Sequence, residues 1–395
     1  MKTYDKFDGK SILIWGYGRE GKSTENFLKK CANPAKIDIF EGKRDELKPD
    51  GYDYIIKSPG IVMDDDPPGF TSQTDILLEV YKKNIIGVTG TKGKSTTSAL
   101  LHHVLNECLD RDVILLGNIG KPCLDYFDSI RDDTIVVFEM SCHQLAHARY
   151  SPHIAVFLNI YEEHLDYYHT FDNYFRAKCN ITANQTGDDI LYIGDQVPEI
   201  PTEARKITVS RGDTPHFELS IPGKHNEYNA YVVFKIATEQ FGIDPDRVRE
   251  ALKTFKGLPH RLCFIGEKDG IKYYDDSIST IPNATIEALE AIGDVRSVII
   301  GGLDRGISYD ILIDFIKAHD EYIYIFAYES GQKIYESVKG PDNRILVSDL
   351  KEAVEKAKSV TPRGSSCILS PAAASYGYFR DFEERGDRFR EFCGL

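Results

Sequence analysis

The sequence predicts an α/β protein of three successive domains, and three observations carry that prediction. Apolar runs of four to seven residues alternate with amphipathic stretches along the whole chain. Two glycine-rich loops each follow such a run, and 395 residues exceed what one domain of roughly 150 holds. The composition, 42% hydrophobic and 28% charged, is that of a folded globular protein and excludes a disordered or collagen-like chain. A formal net charge of −14 argues against a general nucleic-acid-binding role, so an anionic ligand has to be held by local groups. The N-terminus has no signal-peptide core and no run of 18 apolar residues occurs, which predicts a cytoplasmic protein without a membrane span. Eight scattered cysteines without a C-x-x-C pair read as reduced structural thiols.

In chain order, SILIW (11–15) predicts a strand, GYGREG a tight turn, the next stretch a helix to about Lys30, and IDIF a second strand. A third strand and loop fall near 53–60, followed by an acidic proline-bearing loop at 64–69 and a helix over 74–83. This first segment, 1–84, reads as Rossmann-like. The strand IIGVTG opens a second segment, 85–257, with strands VILLG, TIVVFEMS and HIAVFLNI and closing helices over 225–242 and 244–255. Beyond GLPHR (257–261), Asp269-Gly270 marks a hairpin, and RSVIIGG, YIYIFAY, RILVS and CILSP alternate with helices in a third segment, 258–395.

The strongest chemical signal is GVTGTKGKSTT (87–97), a glycine-rich loop between an apolar strand and a helix. Backbone N–H groups of such a loop cradle phosphates, Lys94 can neutralise a phosphoryl group, and Ser95 can ligate Mg²⁺. Gly87 falls one place off the common spacing, so the motif is read from Gly90, Gly93, Lys94 and Ser95. In the first segment, Gly16, Gly18 and Gly21 satisfy G-x-G-x-x-G, and Glu41 ends the next strand. That pattern suits a nicotinamide dinucleotide, which would make an NAD(P)-dependent oxidoreductase, and equally a nucleotide-linked sugar or a merely structural turn. Glu139, at the carboxyl end of an apolar strand, is costly there unless paired or metal-bound. Glu163, His164 and Asp166 follow another strand as a second metal or substrate site, or as a solvated acidic loop. Lys178 lies about four helical turns further on, where a lone lysine is ordinarily a surface charge.

Taken together, GTKGKSTT, GNIG (117–120), FEMS, NIYEEHLDYY, RAK ending at Lys178, GKHNEYNA (223–230), GLPHR and SPAAASYGYFRDFEERGDRF (370–389) resemble the Mur ligases over nearly the whole chain. The resemblance is nearest to the branch that adds glutamate to UDP-N-acetylmuramoyl-L-alanine. It implies a three-domain Mur ligase architecture: a Rossmann-like N-terminal domain for the UDP-sugar, a central P-loop ATPase domain, and a Rossmann-like C-terminal domain for glutamate. It implies that a substrate carboxylate takes the γ-phosphate of ATP to give an acyl phosphate, which the amine of glutamate then attacks. By the same resemblance Gly90, Lys92, Gly93, Lys94, Ser95, Thr96, Asn226, Asn229, Arg261 and Asp276 bind ATP. Ser95, Glu139, His164 and a CO₂-carbamylated Lys178 hold two Mg²⁺ ions, and Lys94, Glu139, His164 and Lys178 form the catalytic set. Tyr17, Gly18, Glu41, Ser58, Pro59, Gly60, Asn118 and His164 match UDP-sugar contacts, while Thr280, Arg305, Ser375 and Phe382 match the glutamate site. Ile278 stands where D-glutamate ligases usually carry lysine, and the DSIST stretch with WGYGREG also resembles a rarer L-glutamate-adding branch. D-glutamate is the expected substrate and L-glutamate the alternative. The partners are therefore small molecules, with no nucleic acid or membrane, and the chain is expected to act as a monomer.

Overall fold

Short β-branched runs form strands wherever both faces can be covered, and the chain uses this three times. The structure, a computed structural model, describes all residues except 1, 2, 62, 64, 65, 118–120 and 222, with the side chains of residues 165 and 166 also left out. The first sheet contains β1 (Ser11–Trp15), β2 (Lys36–Phe40), β3 (Tyr54–Lys57) and β4 (Phe70–Thr71), all parallel in the order β2-β1-β3-β4, with α1 (Arg19–Cys31) and α2 (Gln73–Tyr81). The sole tryptophan, Trp15, ends β1 fully buried and donates from Nε1 to the Gly42 carbonyl at 2.9 Å.

The second sheet is six-stranded and parallel in the order β10-β9-β8-β5-β7-β6. Its elements run β5 (Ile85–Thr89), α3 (Lys94–Cys108), β6 (Val113–Gly117), β7 (Ile135–Glu139), α4 (Cys142–Leu145), β8 (Ile154–Phe157), α5 (Leu165–Tyr168), α6 (Phe171–Cys179), β9 (Ile190–Gly194) and β10 (Arg205–Val209). Two further helices follow, α7 (Lys224–Phe241), which packs on α3, and α8 (Pro245–Thr254). Because β5 lies between β7 and β8, the loops at the carboxyl ends of these three neighbours converge, which is where open α/β sheets place ligands.

The third sheet, order β11-β12-β16-β13-β14-β15, is parallel except for the β11–β12 hairpin. It comprises β11 (Cys263–Lys268), β12 (Ile271–Asp275), α9 (Pro282–Ala291), β13 (Val295–Ile300), α10 (Asp310–Ala318), β14 (Ile323–Phe326), α11 (Tyr328–Val338), β15 (Arg344–Leu346), α12 (Leu350–Val360), β16 (Ser366–Leu369) and α13 (Phe382–Cys393). The hairpin turns at Asp269 and Gly270, both with positive φ, as the Asp-Gly signal predicts.

Chain contacts group residues 1–218 and 224–253 into one compact unit and residues 219–223 and 254–395 into another, so the first two sheets share a unit. The reason is aromatic packing. Phe127, completely buried, meets the rings of Phe27 at 4.7 Å, Tyr81 at 5.3 Å and Tyr4 at 6.0 Å within one continuous apolar cluster. Arg149 with Asp75 and Ser23 with Asp125 (2.6 Å) add polar ties across the same seam. Among the described residues no helix is long and apolar enough to cross a membrane, and all eight cysteines are free thiols. Phe127→Ala is expected to destabilise this first unit by about 3–5 kcal/mol. Denaturant unfolding followed by Trp15 fluorescence checks this, because Trp15 lies in the same unit.

Candidate functional site

The loop after β5 runs directly into the N-terminus of α3. Gly93 caps α3 with φ of +83°, and a Cβ there would stand 2.8 Å from Asn229 Oδ1, so glycine is required both by conformation and by the approach of α7. The first turn of α3 leaves its backbone N–H groups pointing into the loop, where they and the helix dipole favour phosphate. Asn159, after β8, fixes the loop from the far side: its Oδ1 accepts from Lys92 N and its Nδ2 donates to Lys92 O, both at 2.9 Å. Lys94 Nζ donates to the carbonyls of Gly90 (3.0 Å) and Thr91 (2.9 Å). The Lys92 side chain is exposed and pairs with Glu163 at 3.4 Å, while Thr96 is half-buried in the first turn of α3. Asn226 and Asn229 are buried on α7, 3.4 Å apart, with Asn229 against the loop.

Glu139 ends β7 opposite Val88 of β5, fully buried, and accepts from Ser95 Oγ at 3.1 Å. A carboxylate and a hydroxyl side by side at a helix N-terminus are the hard oxygen donors that magnesium prefers, so the donor set fits that ion. Lys178, in the last turn of α6, is 1% exposed rather than a surface charge, and its Nζ donates to the Gly90 carbonyl at 2.8 Å. Burial first, and then the nearby Lys94 ammonium, push its amine down to about 7. The run from the acidic cluster to Lys178 is not one helix. His169 has φ of +62°, and the Thr170 hydroxyl caps a new helix by accepting from Asn173 N. His164 is exposed, precedes α5 and also has a left-handed φ of +58°. The side chain of Asp166 lies outside the described residues.

In the first sheet, Gly16 (φ +89°) turns the chain after β1 in a conformation that favours glycine, and a Cβ on Gly21 would lie 2.1 Å from the Gly16 carbonyl oxygen. Gly18 caps α1 and is open to solvent. Ser58 Oγ donates to the Gly16 carbonyl at 3.1 Å, bringing the Ser58-Pro59-Gly60 loop beside this turn. Tyr17 donates to Glu25 Oε2 at 2.7 Å, and Glu41 is exposed just past β2. Asn118 lies outside the described residues. Glu20, Gly60, Lys94, Ser141, His164 and Lys178 line one cavity of about 380 Å³, so the loops of the first and second sheets open onto the same space.

The second unit carries the remaining predicted residues. The Arg261 side chain is exposed. Asp276 is buried, accepting from Leu262 N at 3.1 Å and Ser370 Oγ at 2.8 Å, and burial raises its carboxyl to about 6. Arg305 Nη2 donates to the Thr280 carbonyl at 3.2 Å, which brings those two together. Ser375 is buried, and Phe382 is half-buried at the start of α13 with its carbonyl accepting from Ser277 Oγ. The buried Arg385, on α13 with Phe382, donates to Ser277 O at 2.7 Å and Ala373 O at 3.0 Å and so ties both loops to this helix. Ile278 is half-buried, and its backbone N–H donates to His260 O at 3.0 Å.

Several of these groups escaped the sequence reading. Asn159 sits in NIYEEH and had a local signal, an asparagine directly after an apolar strand. Lys57, which caps the Ser58-Pro59-Gly60 loop by donating to Ile61 O at 2.8 Å, and Glu20 had none. Burial pushes Glu20 up to about 7 and Lys57 down to about 8.

Fold and site together define a P-loop α/β protein with a second nucleotide-type loop facing the same cavity. Residues 88–210 match the Mur ligase middle domain. A UDP-N-acetylmuramoylalanine–D-glutamate ligase of Aquifex aeolicus is 32% identical over 97% of this chain and 98% of its own length, and one of Caldicellulosiruptor bescii is 31% identical over 97% of each. The chain therefore belongs to the Mur ligase family. In fold it is similar to the UDP-N-acetylmuramate-alanine ligase of Thermotoga maritima, with a TM-score of 0.60 at 22% identity over 97% of this chain and 98% of that one. The end-to-end alignment with ligases sets aside the nicotinamide reading of the Gly16–Gly21 turn.

Gly93→Ala is expected to weaken ATP binding about tenfold or more, because the strained left-handed cap, costing about 1–3 kcal/mol, and Asn229 both resist the methyl group. Calorimetric titration with a non-hydrolysable ATP analogue measures it.

Proposed function

We propose that the protein joins D-glutamate to UDP-N-acetylmuramoyl-L-alanine at the expense of ATP, through an acyl phosphate, in the synthesis of a peptidoglycan precursor. The observation that carries the reading is the convergence of Lys94, Glu139 and the buried amine of Lys178 at one end of the second sheet, in a chain that aligns along its whole length with D-glutamate ligases. Segments 1–84, 85–257 and 258–395 serve in this reading as the UDP-sugar, ATP and glutamate domains.

The chemistry assigns each residue a physical task. The γ-phosphate is a charged acceptor and draws Lys94 Nζ from the two neutral carbonyls it now contacts. The α3 N-terminus and Lys94 offset the charge of phosphate and substrate carboxylate, a repulsion that would otherwise keep the two apart in an acidic protein. The carboxylate oxygen attacks phosphorus and ADP leaves; the glutamate amine then attacks the acyl carbon, loses a proton, and phosphate departs. Magnesium held at Ser95 and Glu139, with a second ion at His164 and Lys178, would neutralise phosphate oxygens when bound. Arg305 would pair with a glutamate carboxylate, while Arg385, one turn beyond Phe382 on α13, holds the loop that leads to Ser375 through the Ala373 carbonyl.

We also propose that Lys178 works as its carbamate. Only a neutral amine captures CO₂, and a lysine held at about 7 is neutral above that pH, whereas an ordinary lysine is not until beyond 10. The sign for stability follows. Between about pH 7 and 10.5 the unfolded chain binds a proton that the folded chain does not, so this group's contribution to stability rises with pH across that window.

Phosphate release with ATP, Mg²⁺ and UDP-N-acetylmuramoyl-L-alanine is expected with D-glutamate and not with L-glutamate; release with L-glutamate alone would overturn the stereochemical assignment and direct attention to Ile278. Lys178→Ala is expected to lose at least about 100-fold in turnover and to regain part of it with added formate or acetate but not with bicarbonate. In CO₂-depleted buffer, native turnover is expected to fall and return on adding bicarbonate, more completely at pH 8 than at pH 6.5, and steady activity throughout would refute the carbamate.

A further inference from the structure

We propose that Cys142, His143 and His164 form a binding site for a soft divalent cation of the zinc class, and that occupation of this site blocks the ligase by taking His164. The second clause rests on the function proposed above; the site itself does not. One thiol and two imidazoles present ligand atoms that all lie within 4.8 Å of one another. A tetrahedral zinc centre with Zn–S of about 2.3 Å and Zn–N of about 2.0 Å needs ligand atoms about 3.3–3.6 Å apart, so small side-chain rotations close the set. Sulfur and imidazole nitrogen select zinc, cobalt or copper over magnesium, which makes this donor set chemically distinct from the oxygen pair of Ser95 and Glu139.

The surrounding structure holds the three groups in place. Cys142 and His143 open α4, whose first turn is fixed by a capping box between Ser141 and Gln144. His164 comes from the loop after β8 and is held with φ of +58°, a left-handed conformation that costs energy and turns the chain before α5. Its ring lies 5.3 Å from that of His143, edge to face. Tyr168 Oη stands 3.3 Å from His143 Nδ1, the outer-sphere contact that steadies a metal-bound imidazole. Cys142 is buried, His143 half-buried and His164 exposed, so three protein ligands close one side and the fourth position faces the cavity. Three ligands with an open fourth position is the arrangement of a zinc ion that can be loaded and removed.

The test is titration of magnesium-free native protein with Co²⁺, read by absorption. One equivalent is expected to bind with a near-ultraviolet thiolate-to-cobalt band, which Zn²⁺ then displaces. Cys142→Ser should abolish the band, and His143→Ala and His164→Ala should each weaken binding about tenfold or more. Absence of the band, or its persistence in Cys142→Ser through another of the eight cysteines, overturns the site. In the phosphate-release assay with excess Mg²⁺, zinc is expected to inhibit the native enzyme and to do so at least about tenfold less well in Cys142→Ser; zinc bound without inhibition overturns the sharing of His164. A band without any phosphate release would sink the ligase reading and leave the metal site standing.

Discussion

Two lysine side chains reach for one carbonyl. Lys94 and Lys178 both place Nζ within 3.0 Å of the Gly90 oxygen, and two ammonium groups cannot share so small a buried space. The conflict is resolved by depth. Burial, and then the neighbouring Lys94, push the enclosed Lys178 amine down to about 7, while Lys94 is only half-buried. The rest of the central sheet serves this division. The order of β7, β5 and β8 brings Glu139, the glycine loop and Asn159 side by side, and the interruption of the helix before Thr170 turns Lys178 inward.

A second constraint is the seam between the first two sheets. Phe127, Tyr81 and Phe27 make one apolar cluster of what the chain lays out as a Rossmann-like segment and a P-loop segment, and the loops at Gly60 and Ser141 consequently open on one cavity. A sugar-nucleotide held by the first sheet would thus present its free carboxylate toward the phosphate loop of the second, with proximity supplied by packing rather than by a mobile element. The same cavity carries groups of two chemical tempers, hard oxygen donors at Ser95 and Glu139 and softer ones at Cys142, His143 and His164.

Much of the fold was legible because burial on both faces writes itself as uninterrupted apolar runs. The strands at 11–15, 85–89, 135–139 and 295–300 and the Asp269-Gly270 hairpin are all of this kind. The glycine loops were legible because positive φ and close approach of neighbouring side chains favour glycine, as Gly16 and Gly93 illustrate. Isolated polar residues were not legible. Nothing local separates Lys178 from any surface lysine, or Lys57 and Glu20 from an ordinary exposed pair, since their properties come from neighbours distant in the chain.

The sequence by itself determined the α/β class and the strand, glycine-rich loop and helix of residues 85–97, because each depends on periodicity or on backbone geometry within a few residues. Only the tertiary structure decided that Asn159 clamps that loop and that Asn229 closes on Gly93. It also decided that the Lys178 amine is pushed down to about 7 and that Cys142 and His143 meet His164. These outcomes depend on desolvation and on distances across the sheet, and neither quantity exists until the strands have paired.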